Sequence, residues 1–428
     1  MFETIRNAWK IPDLRKKILY TLMMLAIVRI GSTMPSPFID ATVMNEYFST
    51  SGGVMALFDA MSGGAFSNMN LFAMGITPYI NASIIMNLLT IAIPRLEELN
   101  KDGEAGRKKI AQYTRYVTIV LALVQAFGIS YSLNNAYGVM STEINTVWAI
   151  IVSVLTFTAG TAFVMWIGEN ITAKGVGNGT SLIIMVNILS SVPTAITALT
   201  NYEHKWALII LAVLALIIVA FTVLLSLGER RIPVQYAKKM QGRKTYGGQS
   251  TNIPIKVNLA GVIPIIFAVS LISFPQIITS FFTANPTGWW GGVISWLNTS
   301  HPFGAVLYVV LIILFTYFYA SISFNPLEIA NNMKKNGGFI PGIRPGKPTA
   351  DYITKVLNKI ILIGAIMLCV VAALPLIINI VVSKFMTAGI GTLAFGGSSI
   401  IIVVGVVIEL VRAIEAEMTM RHYKGFLE

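Results

Sequence analysis

Ser62-Gly63-Gly64-Ala65-Phe66-Ser67-Asn68-Met69-Asn70-Leu71-Phe72-Ala73-Met74-Gly75-Ile76-Thr77-Pro78 decides how this chain is read. A short apolar piece, Val54–Met61, precedes it, and a full-length hydrophobic run opens at Gly75–Pro78. The piece is too short to cross a hydrocarbon layer about 30 Å thick. Irregular backbone at membrane depth survives only inside protein or against a water-filled cavity. The stretch therefore predicts a movable element seated in a pore.

Composition agrees. The 428 residues are 55% hydrophobic and 12% charged, with a mean hydropathy of +0.72. Soluble domains carry about 25% charged residues, so an integral membrane protein is predicted. Five runs in the first half are long and apolar enough to span, near Ile18–Met34, Phe72–Ile93, Tyr116–Leu133, Val147–Ile167 and Thr180–Leu199. Five more follow near Trp206–Leu227, Val257–Phe282, Ala305–Phe324, Val356–Val382 and Gly391–Val411. Arg6, Lys10 and Arg15–Lys17 precede the first run. That run is long and no small-residue cleavage site follows, so it is read as a retained span rather than a signal peptide.

With the N-terminus assigned to the cytoplasm, 28 of the 31 Lys and Arg residues fall on one side. The positive-inside rule then fixes the topology, with both termini cytoplasmic. The expected fold is an all-α polytopic membrane protein, ten transmembrane helices in two inverted five-helix halves around a central pore. The halves are residues 1–200 and 201–428. An echo supports the inversion: the second run opens Gly75-Ile76-Thr77-Pro78 and the seventh opens Gly261-Val262-Ile263-Pro264. Inverted repeats with interrupted helices in matching positions point to a functional axis between the halves.

Two cytoplasmic loops, about 228–256 and 325–355, exceed the length of ordinary connectors. The first holds Arg230, Arg231, Lys238, Lys239, Arg243 and Lys244; the second presents Arg344 between Pro-Gly turns that fix backbone geometry. Gly346-Lys347 resembles the end of a phosphate-binding loop, but Pro341 and Pro348 replace the required Gly and Ser/Thr. No cofactor or nucleotide site is expected. Cys369 is the sole cysteine, and His204, His301 and His422 lie far apart, so no metal site is expected either.

The predicted spans hold few ionisable groups. Arg29 is expected to reach the outer interface or to pair with an acidic residue such as Asp59, and Glu409 lies near the cytoplasmic end of the last span. A secondary transporter of a small solute, the alternative reading, would place relays or counter-ions inside its spans. An aliphatic pore needs none, because a narrow ring of Ile side chains excludes ions by dewetting. Ile76, Ile80, Ile184, Ile266 and Ile402 are available, although spacing alone does not separate them from lipid-facing isoleucines.

Ser62–Ala65 followed by Phe72–Ile85 resembles the plug and second span of the SecY/Sec61-alpha family of protein-conducting channel subunits, in its bacterial form. Gly175–Gly179, Lys256–Pro264 and Pro341–Gly346 are similar to further signatures of that family, and the resemblance runs along essentially the whole chain. It implies a passive, non-enzymatic channel in the bacterial inner membrane that passes unfolded polypeptides and releases hydrophobic segments into lipid. It implies a plug at about Val54–Asn68, including Phe58, Met61, Ser62, Gly63, Gly64 and Phe66. The pore ring would be Ile76, Ile80, Ile184, Ile266 and Ile402, with Ser270 one turn beyond Ile266. A lateral gate would lie between spans two and three and spans seven and eight, with Asn81, Gln125 and Phe274 facing. Arg344 would serve the motor ATPase SecA. Arg230, Arg231, Lys238, Lys239, Arg243 and Lys244 would meet SecA or the ribosome. SecE and SecG would complete the complex, and signal peptides and preproteins would be its substrates.

Overall fold

Each of the ten apolar runs coincides with a helix over most of its length. The computed structural model describes residues 2–40, 59, 61–138, 140, 145–200, 205–236, 239–241, 244–246, 250–282, 288–298, 301–385 and 397–424. The first half consists of α1 (Phe2–Lys10), α2 (Pro12–Thr33), α3 (Thr77–Ala92), α4 (Pro94–Lys101), α5 (Glu104–Tyr137), α6 (Thr146–Lys174) and α7 (Gly179–Thr200). After α8 (Lys205–Leu227) come strands β1 (Glu229–Tyr236), β2 (Lys239–Gln241), β3 (Lys244–Tyr246) and β4 (Ser250–Lys256). Then follow α9 (Ile263–Phe282), α10 (Gly288–Leu297), α11 (Pro302–Ser323), α12 (Pro326–Lys335), β5 (Gly338–Phe339), α13 (Lys347–Phe385) and α14 (Gly397–Lys424).

Proline and polar caps set several helix starts. Pro12, Pro302 and Pro326 each open a helix where the missing N–H costs nothing. Asn145 and Asn325 accept hydrogen bonds from the first free amides of α6 and α12. The Gly-x-x-Pro echo is also an echo in backbone geometry. Gly75 (φ +53°) and Gly261 (φ +62°) both take the left-handed conformation, and each helix begins two residues later with proline next.

The helices are apolar outside as well as inside. Val120 is 62% exposed, Leu216 69% and Leu224 71%. Ser153, Thr161 and Gln125 are buried. A surface this apolar is at home in hydrocarbon. Among the described residues, Glu104–Ser132, Thr146–Lys174, Pro302–Lys335 and Lys347–Leu374 are long and apolar enough to cross a membrane, and α3 with α4 forms a further pair broken by 100°. At the N-terminus, Ala8 and Leu14 pack with Val176 and Ile414, and Lys17 pairs with Glu417 at 2.7 Å. The first two helices therefore meet the last.

The two long loops are built rather than irregular. β1 pairs antiparallel with β4, from Glu229 opposite Lys256 to Gln235 opposite Ser250. Its other edge takes β5 from the second loop, Gln235 opposite Phe339 and Tyr236 opposite Gly338. β2 and β3 form a small hairpin at the tip. Ile232, Val234 and Ile255 bury one face of this sheet against Met333, Ile340, Ile353, Leu357 and Ile361. The loops and the start of α13 thus share one satellite core.

Candidate functional site

A cavity of about 600 Å³ lies among α3, α5, α6, α7 and α9. α3 contributes Tyr79, Ile80 and Ser83, α7 contributes Ser181 and Ile184, and α9 contributes Ile263 and Ile266. Arg115 of α5 and Glu169 of α6, paired at 2.8 Å, add charge to the lining. The lining therefore combines charged and hydroxylic groups, which hold water, with isoleucines, which shed it.

All five isoleucines singled out in the sequence are buried, Ile76, Ile80, Ile184, Ile266 and Ile402 alike, and all belong to the largest apolar cluster. Met61, from the segment before α3, is buried in the same cluster. Ser270, one turn past Ile266 on α9, is buried as well. Phe66 turns to a different cluster, with Met69, Met74, Ala126 and Phe157. Phe58 lies outside the described residues.

The chain is helical through Ser62 and turns at Gly63 and Gly64 rather than continuing as helix. Gly64 N donates to Asp59 O at 3.0 Å, and the Asp59 carboxylate accepts from Ser67 N at 2.8 Å. That carboxylate does not pair with Arg29, so of the two expectations for Arg29 the pairing with Asp59 is not met. Arg29 Nη1 instead lies 3.4 Å from Gly63 O. Asn187 Nδ2 of α7 donates to Met61 O at 3.0 Å.

α9 packs against both α3 and α5. On those three helices stand Phe274, which is half-buried, and Asn81 and Gln125, which are buried. Asn81 Nδ2 and Gln125 Nε2 have no hydrogen-bond partner among the described residues. Unsatisfied buried amides make an interface costly to keep shut against an apolar replacement.

Arg344 is exposed on the turn after β5. Thr349 Oγ1 donates to Arg344 O at 2.8 Å, Ile343 N to Ile340 O at 3.0 Å, and Ile340 is buried in the satellite core. A rigid turn on an anchored strand presents this guanidinium. Arg230 and Arg231 are exposed on β1, and Arg231 Nη2 pairs with Glu229 at 2.6 Å. Lys239 faces Tyr246 and Lys244 faces Gln241 in the tip hairpin, while Lys238 and Arg243 fall outside the described residues. At the base of the sheet, burial first and then Arg412 lower the Lys256 ammonium below its usual pKa, against the pull of Glu409 and Glu229.

The SecY family model matches residues 70–411, which hold all five isoleucines, Ile76 just before α3 and Ile80, Ile184, Ile266 and Ile402 on α3, α7, α9 and α14. The chain belongs to the SecY family. Similar relatives include the protein translocase subunit SecY of Bacillus subtilis (strain 168), 42% identical over 442 residues and covering 100% of both chains. SecY of Corynebacterium glutamicum is 45% identical over 443 residues, 99% of each chain. Among solved structures, a protein-conducting channel superposes with a TM-score of 0.64 at 17% identity, covering 94% of this chain and 92% of that one. Sec61 from a canine ribosome–channel complex of the endoplasmic reticulum gives 0.61 at 16% identity, covering 94% and 92%. The SecY/Sec61 architecture is therefore the fold of this multi-pass membrane protein. Two features of this SecY-family member went unread in its sequence: the pairing of β5 with β1, and Asn187. An amide inside the apolar run Leu182–Leu189 was the available signal for the second.

Proposed function

We propose that this chain is the central subunit of a protein translocation channel, passing unfolded polypeptides across the membrane and releasing hydrophobic segments laterally. One observation carries the reading. Ile80, Ile184 and Ile266, from both halves, line a cavity whose other residues are mostly polar or charged, and they are buried in one cluster with Ile76, Ile402 and Met61. A wet funnel ending in an aliphatic ring suits a substrate that is long and chemically varied. Peptide groups left unsatisfied in hydrocarbon cost several kcal/mol each, so passage needs water. Ile side chains make no bond that would retain the chain.

In this reading α2, α3, α5, α6 and α7 are spans one to five, and α8, α9, α11, α13 and α14 are spans six to ten. Both termini face the cytoplasm of a bacterial cell, as the basic residues require and the packing of α1 on α14 supports. Residues about 54–68 act as the plug beneath the ring, and Ser270 extends the pore wall. Asn81, Gln125 and Phe274 face the lateral gate, where an apolar segment leaves for lipid. Asp, Lys or Arg at mid-membrane costs about 2.5–3.5 kcal/mol on insertion scales, so a gate open to both phases sorts segments by partition. A solute transporter is disfavoured by the family and by the scarcity of ionisable groups in the spans.

The channel has no catalytic residue in this account; a partner supplies the energy. Fold neighbours solved on ribosomes support a ribosome at the basic sheet, where Arg230, Arg231, Lys238, Lys239, Arg243 and Lys244 suit RNA phosphates. SecA would engage Arg344, and SecE and SecG would flank the helices. Reconstituted in liposomes with SecE and SecA, the protein is expected to import an unfolded preprotein when ATP is supplied. Arg344→Glu should cut import about tenfold, the effect of some 1.4 kcal/mol at a single contact. No ATP-dependent import, or import indifferent to that substitution, contradicts the proposal.

A further inference from the structure

The segment preceding α3 is held in two different ways. Its later part is tied to the chain at and after the end of α2 through backbone groups and its own Asn70 amide: Leu71 N donates to Met34 O at 2.8 Å, Asn70 Nδ2 to Ser32 O at 2.7 Å and Ser36 N to Met69 O at 3.3 Å. Its earlier part, Met61–Gly64, instead accepts hydrogen bonds from side chains of other helices. Asn187 Nδ2 of α7 reaches Met61 O at 3.0 Å, and Arg29 Nη1 of α2 reaches Gly63 O at 3.4 Å.

Asn187 is 2% exposed, and its Oδ1 has no partner among the described residues. A half-satisfied amide in an apolar cluster costs stability, and the hydrogen bond it does make is to this segment. Gly63 is shaped to the arrangement. A Cβ there would lie 2.4 Å from Arg29 Nη1, 2.8 Å from Ser190 Oγ and 3.2 Å from Asn187 Cα. Gly64 has a similar φ, +79° against +71°, yet the nearest atom to a Cβ there is Asn68 Nδ2 at 3.9 Å.

We propose that Asn187 and Arg29 are positioning residues that latch the Met61–Gly64 turn under the isoleucine cluster, and so set how readily the channel opens and how strong a signal peptide it demands. The latch rests on the reading of that turn as a plug. Two side-chain hydrogen bonds suit a catch that must release: each contributes a modest net amount, and the anchored Met69–Leu71 stays in place as the turn leaves.

The test uses the reconstituted complex and measures ion leak through the unengaged channel, alongside import of a preprotein with a defective signal. Asn187→Leu and Arg29→Met should each raise leak by about three- to tenfold, the loss of one hydrogen bond, and the double variant by more than either. Arg29→Lys, which keeps a donor, should restore tightness in part. Import of the defective preprotein should rise in parallel, whereas a folding defect would lower it. Gly63→Ala should leak more than Gly64→Ala, since both carry the same backbone strain and only the first displaces Arg29. Deleting residues 54–68 serves as the reference. If the deletion leaks while Asn187→Leu and Arg29→Met stay tight, the latch is refuted and the plug stands. If the deletion does not leak, the plug reading fails and the latch with it.

Discussion

Gln235 of β1 stands opposite Phe339 of β5, so strands from two separate loops close one antiparallel sheet. Arg344 follows β5 by a few residues, on a turn whose Ile340 is buried beneath that sheet. The position of the guanidinium is thus set by a strand pairing as well as by its own turn. Proline inside a ladder removes a donor and crowds the partner strand. Phe339→Pro should therefore weaken SecA binding by about two- to tenfold, as expected for the loss of one ladder hydrogen bond, although Arg344 itself is untouched. Co-flotation of SecA with proteoliposomes measures this. Binding equal to that of the parent would mean that β5 does not position Arg344.

Neighbouring arginines on β1 differ in what they have to give. Arg231 is already paired with Glu229 at 2.6 Å, and a cation so engaged releases less on meeting a phosphate. Removing one free phosphate contact lowers the slope of log affinity against log salt by about 0.7–0.9. Arg230→Ala should show a loss of that order in ribosome binding, and Arg231→Ala a smaller one. A titration of ribosome affinity against salt separates the two. Equal slopes for both variants would rule out the distinction.

The unsatisfied amides of Asn81 and Gln125 bear on the proposed gate. Replacing an unpartnered buried polar group by an apolar one of similar shape is neutral or stabilising. Asn81→Leu and Gln125→Leu should favour the closed interface of α9 with α3 and α5, by roughly 1 kcal/mol each. Membrane insertion of a marginally hydrophobic test segment should then fall several-fold, while the protein melts at the same or a higher temperature. Unchanged insertion, or a lowered melting temperature, would place these amides away from the gate.

Legibility in the sequence followed the range of the interactions. The helices within the apolar runs were readable because hydrophobic length is a local property. The matched starts of α3 and α9 were readable because Gly-x-x-Pro dictates local backbone, and Gly75 and Gly261 do adopt the same conformation. The five isoleucines were not readable from spacing, since pore-facing and lipid-facing isoleucines have the same periodicity; only the family resemblance singled them out. β5 was invisible because it spans two residues and its partner strand lies far along the chain. The contact of Arg29 with Gly63 O went unread because a carbonyl acceptor leaves no trace in composition.

In the proposed channel a translocating chain passes through the isoleucine cluster. A preprotein stalled midway and carrying a single cysteine, combined with single cysteines in a Cys369→Ser background, tests it by disulfide crosslinking. Cysteines replacing Ile80, Ile184, Ile266 and Ile402 should each capture the stalled chain. Cysteines at Val120 and Leu216, on the exposed apolar surface, should not. Capture at the surface positions, or none at the four isoleucine positions, would contradict the account.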